Sequence, residues 1–130
     1  MMDIGKFDFD GTWVEIAVRS EKALEPFRFK VQPLGFAESA AAFGGKALDT
    51  MLKLFISAVV GWDLVADGKE LPCDEATKAR YLSRFGTYMV KSVNGVSLMK
   101  VVDGKEVWEN QSLAGAVIEF CGQPDNFLKN

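Results

Sequence analysis

The chain has 130 residues, enough for one domain with a core of ordinary size. Hydrophobic residues make up 48% and charged residues 25%, a balance that excludes wholesale disorder. A net charge of −3 leaves no surplus of Lys and Arg to neutralise phosphates, so no nucleic-acid partner is expected.

Residues 1–12 are polar and interrupted by glycine, and read as a loose leader. "WVEIAVR" at 13–19 alternates: Val14, Ile16 and Val18 share one face, Glu15 and Arg19 the other. "FRFKVQ" at 27–32 alternates in the same way. A period of two with β-branched residues predicts strands, joined as an antiparallel hairpin over 13–32. The alanines at 40–42 favour a short helix, and Gly44-Gly45 breaks it, because each Gly costs about 1 kcal/mol against Ala. A firm helix is predicted over 46–60, with Gly61 at its end. Its apolar residues, Leu48, Met51, Leu52, Leu54, Phe55, Ile56, Ala58, Val59 and Val60, cover roughly two-thirds of the circumference at 100° per residue. That arc suits the central helix of a fold, a self-association face, or both.

Asp67-Gly68 marks a hairpin turn. Asp74 is placed to N-cap a helix over 75–85, with Gly86 as its stop. Leu82, Phe85, Met89 and Val93 continue at helical spacing and predict a second short helix up to Asn94-Gly95. Asp103-Gly104 marks a second hairpin near 96–110. "SLAGAVIEF" reads as a helix capped by Ser112, followed by a turn and a frayed end. The fold class expected is α+β. An N-terminal antiparallel β-hairpin precedes a mainly helical domain over 46–130 with a central apolar helix, all in a single domain, 1–130.

The chemistry on offer is sparse. There is no histidine, which excludes Ser-His-Asp and Cys-His catalysis, histidine metal ligation and histidine pH switching. Cys73 and Cys121 are expected as two reduced thiols. Asp67, Asp74 and Asp103 lack the spacing of a calcium loop. Asp8-Phe9-Asp10-Gly11-Thr12 resembles the opening motif of haloacid-dehalogenase-type phosphatases, in which the first Asp is the nucleophile. That motif sits at the end of a buried parallel strand, which is a continuous apolar run. Here "MMDIGKF" precedes it and an alternating strand follows, so the stretch reads as a turn into the hairpin. No catalytic residue, metal or cofactor is expected. The longest apolar run, 52–60, is too short to span a bilayer, and no basic-then-apolar leader is visible, so no membrane partner and a cytoplasmic location are expected.

One stretch is more specific. "VVGWDLVADGKELPCDEATKARYL", 59–82, runs from an apolar helix into Gly-Trp-Asp, then an Asp-Gly-Lys turn, a Leu-Pro pair and a capped, charged helix. With the upstream hairpin, it resembles the tail assembly chaperones of long-tailed, lambda-like bacteriophages over residues 13–85. The resemblance implies a non-enzymatic protein that coats and solubilises the tape measure protein before tail-tube polymerisation. It implies action in the host bacterial cytoplasm and absence from the mature virion. It also implies homo-oligomers, and contact with tail-tube protein through a longer, frameshifted form. Leu48, Met51, Phe55, Val59 and Trp62 are the candidate partner-binding or self-association residues. A small adaptor or inhibitor of a host or phage protein is the alternative expectation.

Overall fold

The computed structural model describes residues 1–23, 25–35 and 47–129, and the side chains of these except 47–49. The short helix expected over the alanine run, the Gly44-Gly45 break and the side chain of Leu48 lie outside the described residues.

Nine strands are described: β1 (Thr12–Val18), β2 (Phe27–Val31), β3 (Val59–Trp62), β4 (Val65–Ala66), β5 (Lys69–Glu70), β6 (Val90–Val93), β7 (Val96–Ser97), β8 (Met99–Val102) and β9 (Lys105–Trp108). Three α-helices accompany them: α1 (Ala47–Ala58), α2 (Glu75–Phe85) and α3 (Leu113–Cys121). The main sheet is antiparallel throughout, in the order β3-β2-β1-β6-β7. The β4–β5 and β8–β9 hairpins form separate two-stranded sheets.

Alternation decides what each face of the sheet does. Val14, Ile16 and Val18 of β1, Phe29 and Val31 of β2, Val59 of β3 and Val90 of β6 are buried. All but Val18 pack in one core with Phe55 and Ala58 of α1, Leu82 of α2, and Leu113, Val117 and Cys121 of α3. The opposite face of β1 and β2 carries Trp13, Glu15, Arg28 and Lys30 and meets solvent. There Arg28 lies over the Trp13 ring, 5.2 Å from its centroid, and pairs with Asp63 at 2.6 Å. The molecule is thus two-layered, helices on one side of the sheet.

This corrects the expected fold class. Residues 46–130 are not mainly helical, since seven of the nine strands lie there. Nor does a central apolar helix organise the fold. The helix expected to reach Val60 ends at Ala58, and Val59 and Val60 begin β3. β-Branched residues lose side-chain freedom in a helix and suit a strand. The open edge of β2 accepts them, with Val31 opposite Val59 and Phe29 opposite Trp62. Leu54, Phe55 and Ala58 of α1 are buried in the core, and Met51 and Ile56 pack against it, with α3, α2 and the sheet as neighbours.

The second helix expected up to Asn94-Gly95 is β6 instead. α2 stops at Gly86, whose N–H donates to Leu82 O at 2.9 Å. Asn94 and Gly95 have φ of +48° and +80° and turn β6 into β7. The same positive pair recurs at Asp67-Gly68 and Asp103-Gly104, so three hairpins share one turn chemistry. At the chain ends, Asp8 N–H donates to Phe127 O at 2.6 Å and Lys129 N–H to Lys6 O at 2.7 Å. The leader is therefore pinned to the tail, and Phe127 is fully buried.

Candidate functional site: an apolar cleft between three helices

The stretch 59–82 forms one continuous unit. β3 leads into the β4–β5 hairpin, and Trp62 Nε1–H donates across it to Leu71 O at 2.9 Å. Asp74 then caps α2, its carboxylate accepting Thr77 N–H at 2.8 Å. This bonding to Thr77 holds the Asp74 carboxyl below the usual carboxylate range. Burial pushes the neighbouring Cys73 thiol up, against the opposing pull of Lys78. Lys78, one turn into α2, donates to Ile56 O and Val59 O, both at 2.9 Å. The cation sits at the carboxyl end of α1, where unpaired carbonyls gather.

These bonds fix α2 beside α1. Its far end is tied to α3: Ala114 N–H donates to Gly86 O at 3.2 Å and Leu113 N–H to Tyr88 O at 2.8 Å. Ser112 caps α3, its hydroxyl accepting Gly115 N–H at 3.1 Å. Where the three helices meet lies a cleft of about 370 Å³. Met51, Leu52 and Phe55 of α1 form one wall, Leu82, Ser83, Gly86 and Thr87 the second, and Ser112 and Ala114 the third. Phe55 is the floor, fully buried and edge-on to Phe29 at 6.0 Å. Gly86 is the tight point. A Cβ there would stand 3.1 Å from Leu82 O and 3.4 Å from Ala114 Cβ.

Of the residues singled out in the sequence, the structure brings Met51 and Phe55 together at this cleft. Val59 is fully buried on the core face of β3. Trp62 is half-buried and anchors the β4–β5 hairpin, away from the cleft. Leu82, Ser83, Gly86, Thr87, Ser112 and Ala114 were missed. Leu82 and Ser112 carried recognisable signals, an apolar stripe and a cap. The convergence of two helix ends on α1 had none.

Asp8 is half-buried and Asp10 exposed, and the Asp8 carboxylate accepts Asp10 N–H at 3.3 Å in a local turn. Cys73 and Cys121 are free thiols, and burial pushes Cys121 up to about 12. Among the described residues no three His, Cys, Asp or Glu side chains converge on a metal-sized space, and no helix is long and apolar enough to cross a membrane. Compared with family models, with curated proteins and with solved structures, the chain matches nothing.

Proposed function

We propose that this chain is a non-enzymatic tail assembly chaperone that binds the tape measure protein of a long-tailed bacteriophage and keeps it soluble in the host cytoplasm. The observation that carries the reading is the apolar cleft walled by Met51, Leu52, Phe55, Leu82 and Ala114. Binding of a helix in a groove needs such a surface and no reacting group. Met51 suits it further, because an unbranched thioether side chain adapts to varied neighbours. The resemblance of residues 59–82 supports the same reading, since that unit ends in α2, whose Leu82 lines the cleft.

The test is co-expression with a cognate tape measure protein. The chaperone reading expects that protein to stay in the soluble fraction and to co-purify with this chain in mild salt. A tape measure protein that remains insoluble, or soluble without co-purifying, would reject it.

A further inference from the structure

The β8–β9 hairpin follows β7, an edge strand of the main sheet, and forms a sheet of its own. No residue of either strand is buried, and Val101, Val102 and Val107 are 67%, 51% and 48% exposed. A two-stranded hairpin standing alone is marginal in water. Its ladder is nevertheless regular, with Met99 opposite Trp108 and Val102 opposite Lys105 around the Asp103-Gly104 turn. A two-residue turn makes Val102–Lys105 a hydrogen-bonded pair, and Lys100–Val107 is the next. The alternation continues one step further, where Glu109 N–H donates to Leu98 O at 2.8 Å. The intervening residues of β9, Glu106 and Trp108, therefore turn their backbone N–H and C=O groups away from β8. Among the described residues nothing bonds to those outward groups.

We propose that β9 pairs antiparallel with β9 of a second copy, about a two-fold axis at Val107. That register sets the outward groups of Glu106 against those of Trp108 of the partner subunit, and Val107 against Val107 of the partner subunit. Lys105 then stands opposite Glu109 of the partner subunit, on the same face as Val107, and the axis repeats the pair. Opposite charges directly across two strands attract. Among the described residues neither Lys105 nor Glu109 has an ion pair within its own chain. On the other face, Glu106 of the partner subunit arrives at Trp108, over whose ring Arg19 lies 4.5 Å from the centroid. Centring on Glu106 would oppose two carboxylates, and centring on Trp108 would lose the Lys105 pair. β8 offers a poorer edge. Its Met99 N–H is taken by Ser97 Oγ at 3.0 Å, and its longest pairing would put Lys100 opposite Lys100 of the partner subunit. The pairing is independent of the cleft.

Sedimentation of the full chain over a range of concentrations reads it. Five residues a side make a small interface, so a dimer that dissociates on dilution is expected. Lys105→Glu and Glu109→Lys should each weaken it roughly tenfold, because each puts like charges opposite one another twice per dimer. The double variant Lys105→Glu/Glu109→Lys should restore it. Within one chain these residues are four strand positions, about 13 Å, apart, so restoration reports a contact between copies. A mere effect of net charge would drive the two single changes in opposite directions. Val107→Cys should form a disulfide-linked dimer under oxidised glutathione, since paired residues at the axis lie within disulfide reach. Val102→Cys, similarly exposed but on β8, should not. Both are made on a Cys73→Ser background, Cys121 being buried.

A monomer at every concentration, single charge changes without effect, a double variant no better than the singles, or Val107→Cys crosslinking no more than Val102→Cys would each overturn the proposal.

Discussion

Lys78 donates to the carbonyl of Val59 at the joint where α1 becomes β3, and at the same 2.9 Å distance to the carbonyl of Ile56. One ammonium group therefore closes the end of a helix and secures the first residue of an edge strand. It also docks α2, on which one wall of the cleft stands. Lys78→Met keeps the aliphatic stem and removes the charge. Two carbonyls then lose a charged donor, and we expect a loss of about 1–3 kcal/mol. Urea unfolding measures it. A midpoint unchanged from the wild type would show that the bonds are replaced by water at no net cost.

Phe55 is the floor of the cleft and part of the core, with no exposed surface. Phe55→Ala should destabilise by about 3–5 kcal/mol, because transfer and cavity terms add. Lys53, two residues away and exposed, should tolerate Ala to within about 0.5 kcal/mol. The pair of midpoints tests whether α1 buries the face described here. Equal effects would contradict that orientation.

Gly11 has φ of +138°, and a Cβ there would stand 2.8 Å from Lys30 Cε. Two separable costs follow: a backbone conformation that side chains rarely adopt, and a clash with the Lys30 stem. Gly11→Ala should cost roughly 1–3 kcal/mol. Adding Lys30→Ala should relieve the clash and leave the backbone cost, so the double-mutant cycle should be non-additive. Strict additivity would place the whole effect in the backbone. The glycine of the phosphatase-like stretch is thus needed for the entry into β1.

Asp74 carries a pH signature. Its carboxyl is held below the ordinary value of about 3.9, so the folded state binds its proton less tightly than the unfolded state does. The stability it contributes is present above the unfolded value and is lost as pH falls through the folded one. Asp74→Asn keeps a capping side chain without the titration. The gap in melting temperature between wild type and variant should therefore close as pH drops from about 7 to about 3. A gap that stays constant across that range would remove the ionic part of the cap.

The strands of 13–19 and 27–32 were legible because each carries a strict period of two, and one residue type per face leaves no other reading. The caps at Asp74 and Ser112 were legible for a similar reason: a short polar oxygen before an apolar stripe has one local use. The helix–strand junction at Ala58–Val59 was not. Val59 and Val60 fit the helical arc by position, and only the open edge of β2, nearly thirty residues earlier, draws them into the sheet. β6 was hidden by Leu82, Phe85, Met89 and Val93, which fall at helical spacing across a chain break at Gly86. The Asn94-Gly95 pair between valines is the hairpin signal there, but after a helical spacing it reads equally as a helix end. The cleft was half visible. Met51 and Phe55 lie on one helix, where spacing speaks. Gly86 and Ala114 join them only through the backbone bond from Ala114 N–H to Gly86 O.

The central claim is that this cleft holds the partner, and Ala114→Trp tests it most directly, because Ala114 lines the cleft and an indole there would occupy its volume. Wild type and Ala114→Trp would each be co-expressed with a cognate tape measure protein, with circular dichroism confirming that the variant is folded. Val101→Asp, on the exposed β8–β9 hairpin, serves as the control surface change. We expect the tape measure protein to co-purify with wild type and Val101→Asp and to be lost from Ala114→Trp. Full recovery with a folded Ala114→Trp would contradict the claim.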